Sequence, residues 1–156
     1  MTIANKPVAA TAALMMVLFL LVGWYETHFF LLHFFESLIY LVIILLLFYL
    51  EDRFGYILGL LVPAVWIVLN IATGQVLFGL RDLARAITLQ KVGNPVGLLS
   101  GFILLAGILL MVLCWRSLRR EIVGTPYLRS TVLVGVAITA GYYGILIFWF
   151  VRSIPR

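Results

Sequence analysis

Between Val8 and Leu50 the chain carries only two charged side chains, Glu26 and Glu36. A helix needs about 20 mostly apolar residues to cross the hydrocarbon of a bilayer, so this block is twice too long for a single crossing. Its polar knot, Glu26-Thr27-His28, falls near the middle. The natural reading is a tight hairpin of two spans, residues 8–25 and 29–50, closed by Glu51-Asp52-Arg53. The N-terminal stretch superficially resembles a signal peptide. No small-residue A-x-A site follows Val22-Gly23-Trp24-Tyr25, so a retained first span is expected.

The rest of the chain continues the pattern. A third span is expected over residues 55–79 with Pro63 inside it, where a kink is tolerated because neighbouring helices can satisfy the freed carbonyl. Residues 81–92 set Leu83, Ala84 and Ile87 on one side of a helix and Arg81, Arg85 and Lys91 on another, the pattern of a short interfacial helix. Asn94-Pro95 reads as an N-cap followed by Pro at the first helical position, opening a fourth span over residues 95–115. A polar linker over residues 116–126 separates it from a fifth span at 128–151.

Composition excludes the other fold classes. Hydrophobic residues make up 65% of the 156 and charged residues 11%, against roughly 25% charged in an ordinary globular domain. The mean hydropathy is +1.19. A compact protein of this size could not cover its surface with so few charges, which rules out a soluble enzyme, a disordered tail, a coiled coil and a nucleic-acid-binding module. The expected fold is all-α: one integral membrane bundle of five transmembrane helices with a short interfacial helix between the third and fourth. Its first partner is the lipid bilayer. Basic residues fall on both sides of such a topology, and the dense stretch Arg116, Arg119, Arg120 and Arg129 favours an N-in, C-out orientation. The same arginines could hold anionic headgroups or an acidic partner, or simply anchor a cytoplasmic loop.

Membrane helices meet through small residues and polar hydrogen bonds, because lipid tails are as apolar as leucine. Gly55, Gly59, Pro63, Trp66, Asn70, Thr73 and Gly74 share one arc of the third span. Gly97 and Gly101 repeat the G-x-x-x-G spacing on the fourth, where Ser100, Gly107, Met111 and Cys114 extend the stripe. Asn70 reads either as a ligand contact or as an interhelical hydrogen bond. The fifth span has two special faces, one with Thr131, Gly135, Thr139 and Tyr142 and the other with Ala137, Ala140, Gly141 and Gly144. Two packing faces suit a central helix, or one that also meets a second subunit of a homo-oligomer or larger membrane complex.

The chemistry-bearing residues concentrate on the second span. His33, Glu36, Ser37 and Tyr40 lie within about 100° of one another on a helix. A carboxylate at that depth is costly unless paired, so such residues face a protein interior or a watery cavity. One reading is a proton or cation relay through Glu36 and His33, opened to a surface by Glu26 and His28. The other is a buried network that locks the second helix to its neighbours. His28 and His33 are the only histidines, and a five-residue spacing sets them about 140° apart, too far to sandwich a haem. A single axial ligand from His33 is the remaining cofactor reading. No metal site and no cofactor are expected, and no H-E-x-x-H, G-x-S-x-G or P-loop is present. Two functional classes follow: a non-catalytic structural or accessory subunit of a membrane assembly, or a small oligomeric transporter or channel using the His33–Glu36 face.

Overall fold

The computed structural model describes residues 5–49, 52–121 and 128–153, and these form an all-helical bundle. The elements are α1 (Asn5–Tyr25), a 3-10 turn (Thr27–Phe29), α2 (Phe30–Phe48), α3 (Asp52–Ala72), α4 (Gln75–Ile87), α5 (Pro95–Glu121) and α6 (Leu128–Ser153). Five helices among the described residues, α1, α2 with its 3-10 turn, α3, α5 and α6, are long and apolar enough to cross a membrane.

α1, α2, α3 and α5 form a four-helix ring in which each packs on two neighbours, with α6 laid outside on α3 and touching α2. Small residues set the closest approaches. A Cβ added at Gly59 would collide with Cys114 Sγ of α5, and one at Gly107 would lie 3.4 Å from Pro63 Cβ of α3. On the α2–α3 seam a Gly55 Cβ would lie 3.0 Å from Leu47. A buried hydrogen bond from the Tyr56 hydroxyl to Asn5 Oδ1 ties α3 to α1. Tyr143 of α6 donates to the Val62 carbonyl, next to Pro63, at 3.2 Å.

Several helix ends differ from the sequence expectation. α3 stops at Ala72, short of residue 79, because Gly74 turns into the left-handed region at φ 75° and its N–H closes on Ile71 O. α4 therefore starts at Gln75 instead of residue 81. α5 runs past Trp115 to Glu121. The end of an apolar run does not by itself end a helix, and Arg and Leu continue one at little cost. The start of α5 is as expected, with Asn94 Oδ1 accepting from Val96 N–H at 2.9 Å.

Two faces also differ. α4 buries Gly79, Asp82 and Leu83, while Ala84 and Ile87 are exposed. It lies against the first turns of α5, where a Cβ at Gly101 would sit 2.8 Å from Gly79 O and one at Gly97 would collide with the Asp82 carboxylate. Thus Gly97 and Gly101 serve the α4 contact, while Cys114 and Gly107 serve α3. α6 is peripheral and not central: it buries Gly135, Thr139, Tyr143 and Leu146, and an added Cβ at Gly141 or Gly144 meets nothing within 4 Å.

Candidate functional site

Antiparallel succession brings the α1–α2 turn, the α3–α4 turn, the start of α5 and the end of α6 to one end of the bundle. A cleft of about 360 Å³ opens there. One wall is Glu26, His33 and Glu36; the facing wall is Asn70, Thr73, Gln75 and Ser100; Phe19 and Trp66 form its floor, and Phe29 and Phe150 its rim. At a rise of 1.5 Å per residue, Phe19 and Trp66 lie roughly 9 Å inside their helix ends.

His33 is held from both edges of its ring. Nε2 lies 3.0 Å from Glu26 Oε2, and Nδ1 lies 2.9 Å from Glu36 Oε2. Side-chain exposure falls from 35% at Glu26 to 15% at His33 and 13% at Glu36, so Glu26 is the mouth and Glu36 the inner end. The spacing explains the geometry. Glu36 is one helical turn beyond His33 and shares its face, while Glu26 sits where the chain turns back and can reach down to the imidazole.

The donor count has a chemical consequence. A neutral imidazole carries one N–H, yet both ring nitrogens face carboxyl oxygens. Either the ring is an imidazolium between two carboxylates, or one carboxyl is protonated and donates to the bare nitrogen. In the second arrangement, passing both hydrogen-bonded protons along the chain moves one proton equivalent from Glu26 to Glu36 and swaps the imidazole tautomer. The geometry thus lets three groups share one proton.

The other sequence candidates are placed as follows. Tyr40, one turn beyond Glu36, is fully buried, stacks on Phe19 at 5.6 Å, and its hydroxyl has no hydrogen-bond partner among the described residues. Ser37 is buried but donates to the Phe34 carbonyl of its own helix at 2.7 Å. His28 is exposed on the 3-10 turn and has no hydrogen bond to the cluster among the described residues, so only Glu26 forms the mouth. Asn70 lines the cleft, and its Nδ2 donates to Trp66 O of its own helix at 2.9 Å instead of across helices. Arg116, Arg119, Arg120 and Arg129 are exposed at the opposite end, where the Arg119 guanidinium lies 4.9 Å from the Trp115 ring centroid.

Among the described residues no three His, Cys, Asp or Glu side chains are grouped to hold a metal ion. Glu26 and Glu36 sit at opposite edges of the imidazole, so both ring nitrogens face carboxyl oxygens. Compared with known proteins, the chain matches no family model, no curated protein and no solved structure. The site must therefore be read from its own geometry.

Several lining residues were not legible in the sequence. Phe19 and Phe150 sit in uniform apolar runs that give no reason to single them out. Gln75 lies on the cleft because α3 breaks at Gly74. Away from the cleft, Asp82 is buried against Gly97 and 3.4 Å from Arg85, a contact that the sequence reading did not single out.

Proposed function

We propose that the chain is a multi-pass integral membrane protein of five spans that takes up and transfers protons or small cations through Glu26, His33 and Glu36. The observation that carries this reading is the imidazole bridged at both nitrogens by carboxylates on the wall of a cleft. A carboxylate and an imidazole at membrane depth cost a few kcal/mol unless they are paired or reach water, and here both conditions are met. The cleft opens at one end of the bundle. Below Glu36 the helices close over Ile43, Leu47, Leu58, Val62, Leu110 and Cys114, all buried. Transfer across the membrane thus requires a second arrangement of the helices around Glu36, as in an alternating-access carrier, and an open pore is disfavoured. The titratable groups that interact with Glu36 are His33, Tyr40, Tyr142 and Tyr143, and the three tyrosines form the pathway's inner boundary.

The arginines Arg116, Arg119, Arg120 and Arg129 crowd the end away from the cleft. The positive-inside tendency then sets that end in the cytoplasm, with the N-terminus inside, the C-terminus outside and the cup facing outward.

The test is flux into liposomes from the purified protein. Wild type is expected to dissipate a proton or monovalent-cation gradient, and Glu36→Gln to reduce the rate at least tenfold. Equal rates for the two proteins overturn the reading.

One observation favours the second class, a structural or accessory subunit. The face of α6 with Ala137, Ala140, Gly141 and Gly144 is free of the bundle, and smooth helix faces of this kind accept a neighbouring helix. Constant co-purification of a partner in mild detergent, with no flux from the isolated chain, supports that class. A monomer in mild detergent speaks against it.

A further inference from the structure

The proposed function leaves the identity of the cation open, and the walls of the cleft narrow it. Each glutamate commits Oε2 to His33, so its second oxygen is uncommitted among the described residues. Asn70 spends one N–H of its Nδ2 on Trp66 O, which leaves its amide oxygen and a second N–H. The unused hydrogen-bonding capacity of the two glutamates consists of acceptors when they are ionised, and Asn70 adds one more acceptor beside them. Among the described residues no lysine or arginine lines the cleft. A ligand that satisfies such a site brings donors and positive charge.

The remaining lining is aromatic. Phe19 and Trp66 meet edge to face at 5.7 Å, and Phe29 and Phe150 meet at 5.3 Å. Aromatic rings beside carboxylates suit an organic cation, since ring faces attract positive charge and also cover carbon. A bare metal ion would leave the rings unused, and the two carboxylates do not converge on a point.

A second hollow of about 330 Å³ adjoins the first, sharing Leu32, Glu36, Asn70, Thr73 and Phe150 and continuing along Leu146 and Ile147 of α6. Its lining is otherwise almost wholly apolar. Glu36 thus stands between a polar cup and an apolar groove, the arrangement that fits a molecule with a charged head and a hydrocarbon body. Together the two hollows fall in the size range of small-molecule sites.

We infer that the cleft binds an amphipathic organic ammonium ion, its N–H donors on Glu36 and Asn70 and its apolar body between the aromatic rings and the α6 groove. This rests on the reading of the cleft as a cation site and names the class of cation. The ammonium head takes the Glu36 oxygen that His33 does not use, so ligand and shared proton meet at the same carboxylate.

The probe is 2-phenylethylammonium, titrated calorimetrically into the protein in lipid nanodiscs, with 2-phenylethanol, phenylacetate and sodium ion as comparators. Empty nanodiscs set the background of partition into lipid. Saturable binding of the ammonium compound, at least tenfold tighter than that of each comparator and weakened at least tenfold by Glu36→Gln, is the expected result. Equal affinity for 2-phenylethanol overturns the inference, as does binding unchanged by Glu36→Gln. Should Glu36→Gln fail to fold, Ser100→Phe decides, because it fills the cup from the facing wall without touching the triad. Binding lost in Ser100→Phe supports the site, and binding retained overturns it. Flux that depends on Glu36 without ammonium binding sinks this inference and leaves the proposed function standing. Absence of flux together with ammonium binding does the reverse.

Discussion

The two ends of the bundle are made from the same helices and solve opposite problems. At the end with Asn5, Gly59 and Cys114 the helices close on one another. Glycine stands where a side chain would collide with the neighbour, and Ile43, Leu47, Val62 and Leu110 fill what remains. At the end with Glu26 and Trp66, large aromatic and polar residues hold the helices apart and leave a cavity walled with hydrogen-bonding groups. In lipid the first end is held by close packing, since apolar contact alone does not draw helices together. The second trades some of that packing for a site. The contrast teaches where substitutions should damage folding and where they should damage activity.

The largest effect is expected at the sealed end. Gly59→Leu drives a side chain into Cys114 and separates α3 from α5. Overpacking of this kind costs about 3 kcal/mol or more, and little monodisperse protein should survive in mild detergent. A Gly59→Leu protein as heat-resistant as wild type breaks the contrast.

Gly97→Leu comes next. It displaces the Asp82 carboxylate and loosens α4 from α5, at about 1–3 kcal/mol. Limited proteolysis between Thr88 and Asn94 should accelerate while the other helices stay protected. Protection throughout would mean that α4 is not held by this contact.

How far the sequence carries is visible in these two positions. The five apolar helices are plain because each is a run of about 20 residues bounded by charge, a signal set by bilayer thickness. His33 and Glu36 stand out because ionisable groups are conspicuous in such runs. The partner of each glycine is not legible, because G-x-x-x-G records a smooth face and not what lies on it. Gly97 and Gly101 receive α4, whereas Gly59 receives Cys114. Asn70 was legible as a polar residue at depth, yet its bond to Trp66 O rather than across helices depends on packing that no local pattern encodes. Nor could the end of α3 be read from hydropathy, since the apolar run continues through a turn made by the backbone of Gly74.

Gly141→Leu should have the smallest effect. The added side chain points into open space, so the stability of the isolated chain should change by no more than about 0.5 kcal/mol. A large loss of a higher-mass species in mild detergent, with the monomer unharmed, would sharpen the comparison by showing that a partner helix covers this face.

The most direct measurement uses the chain's one cysteine, Cys114, which lies buried at the sealed end. A charged, water-soluble methanethiosulfonate is applied to sealed vesicles with the wild-type protein and with Ser100→Cys in a Cys114→Ala background. Thiols react where water reaches them. The thiol at position 100 is expected to be modified rapidly from one membrane face only, while Cys114 stays unmodified from either. A Cys114 that reacts as fast as the thiol at position 100, or a position 100 inert from both faces, would contradict a bundle that is hollow at one end and closed at the other.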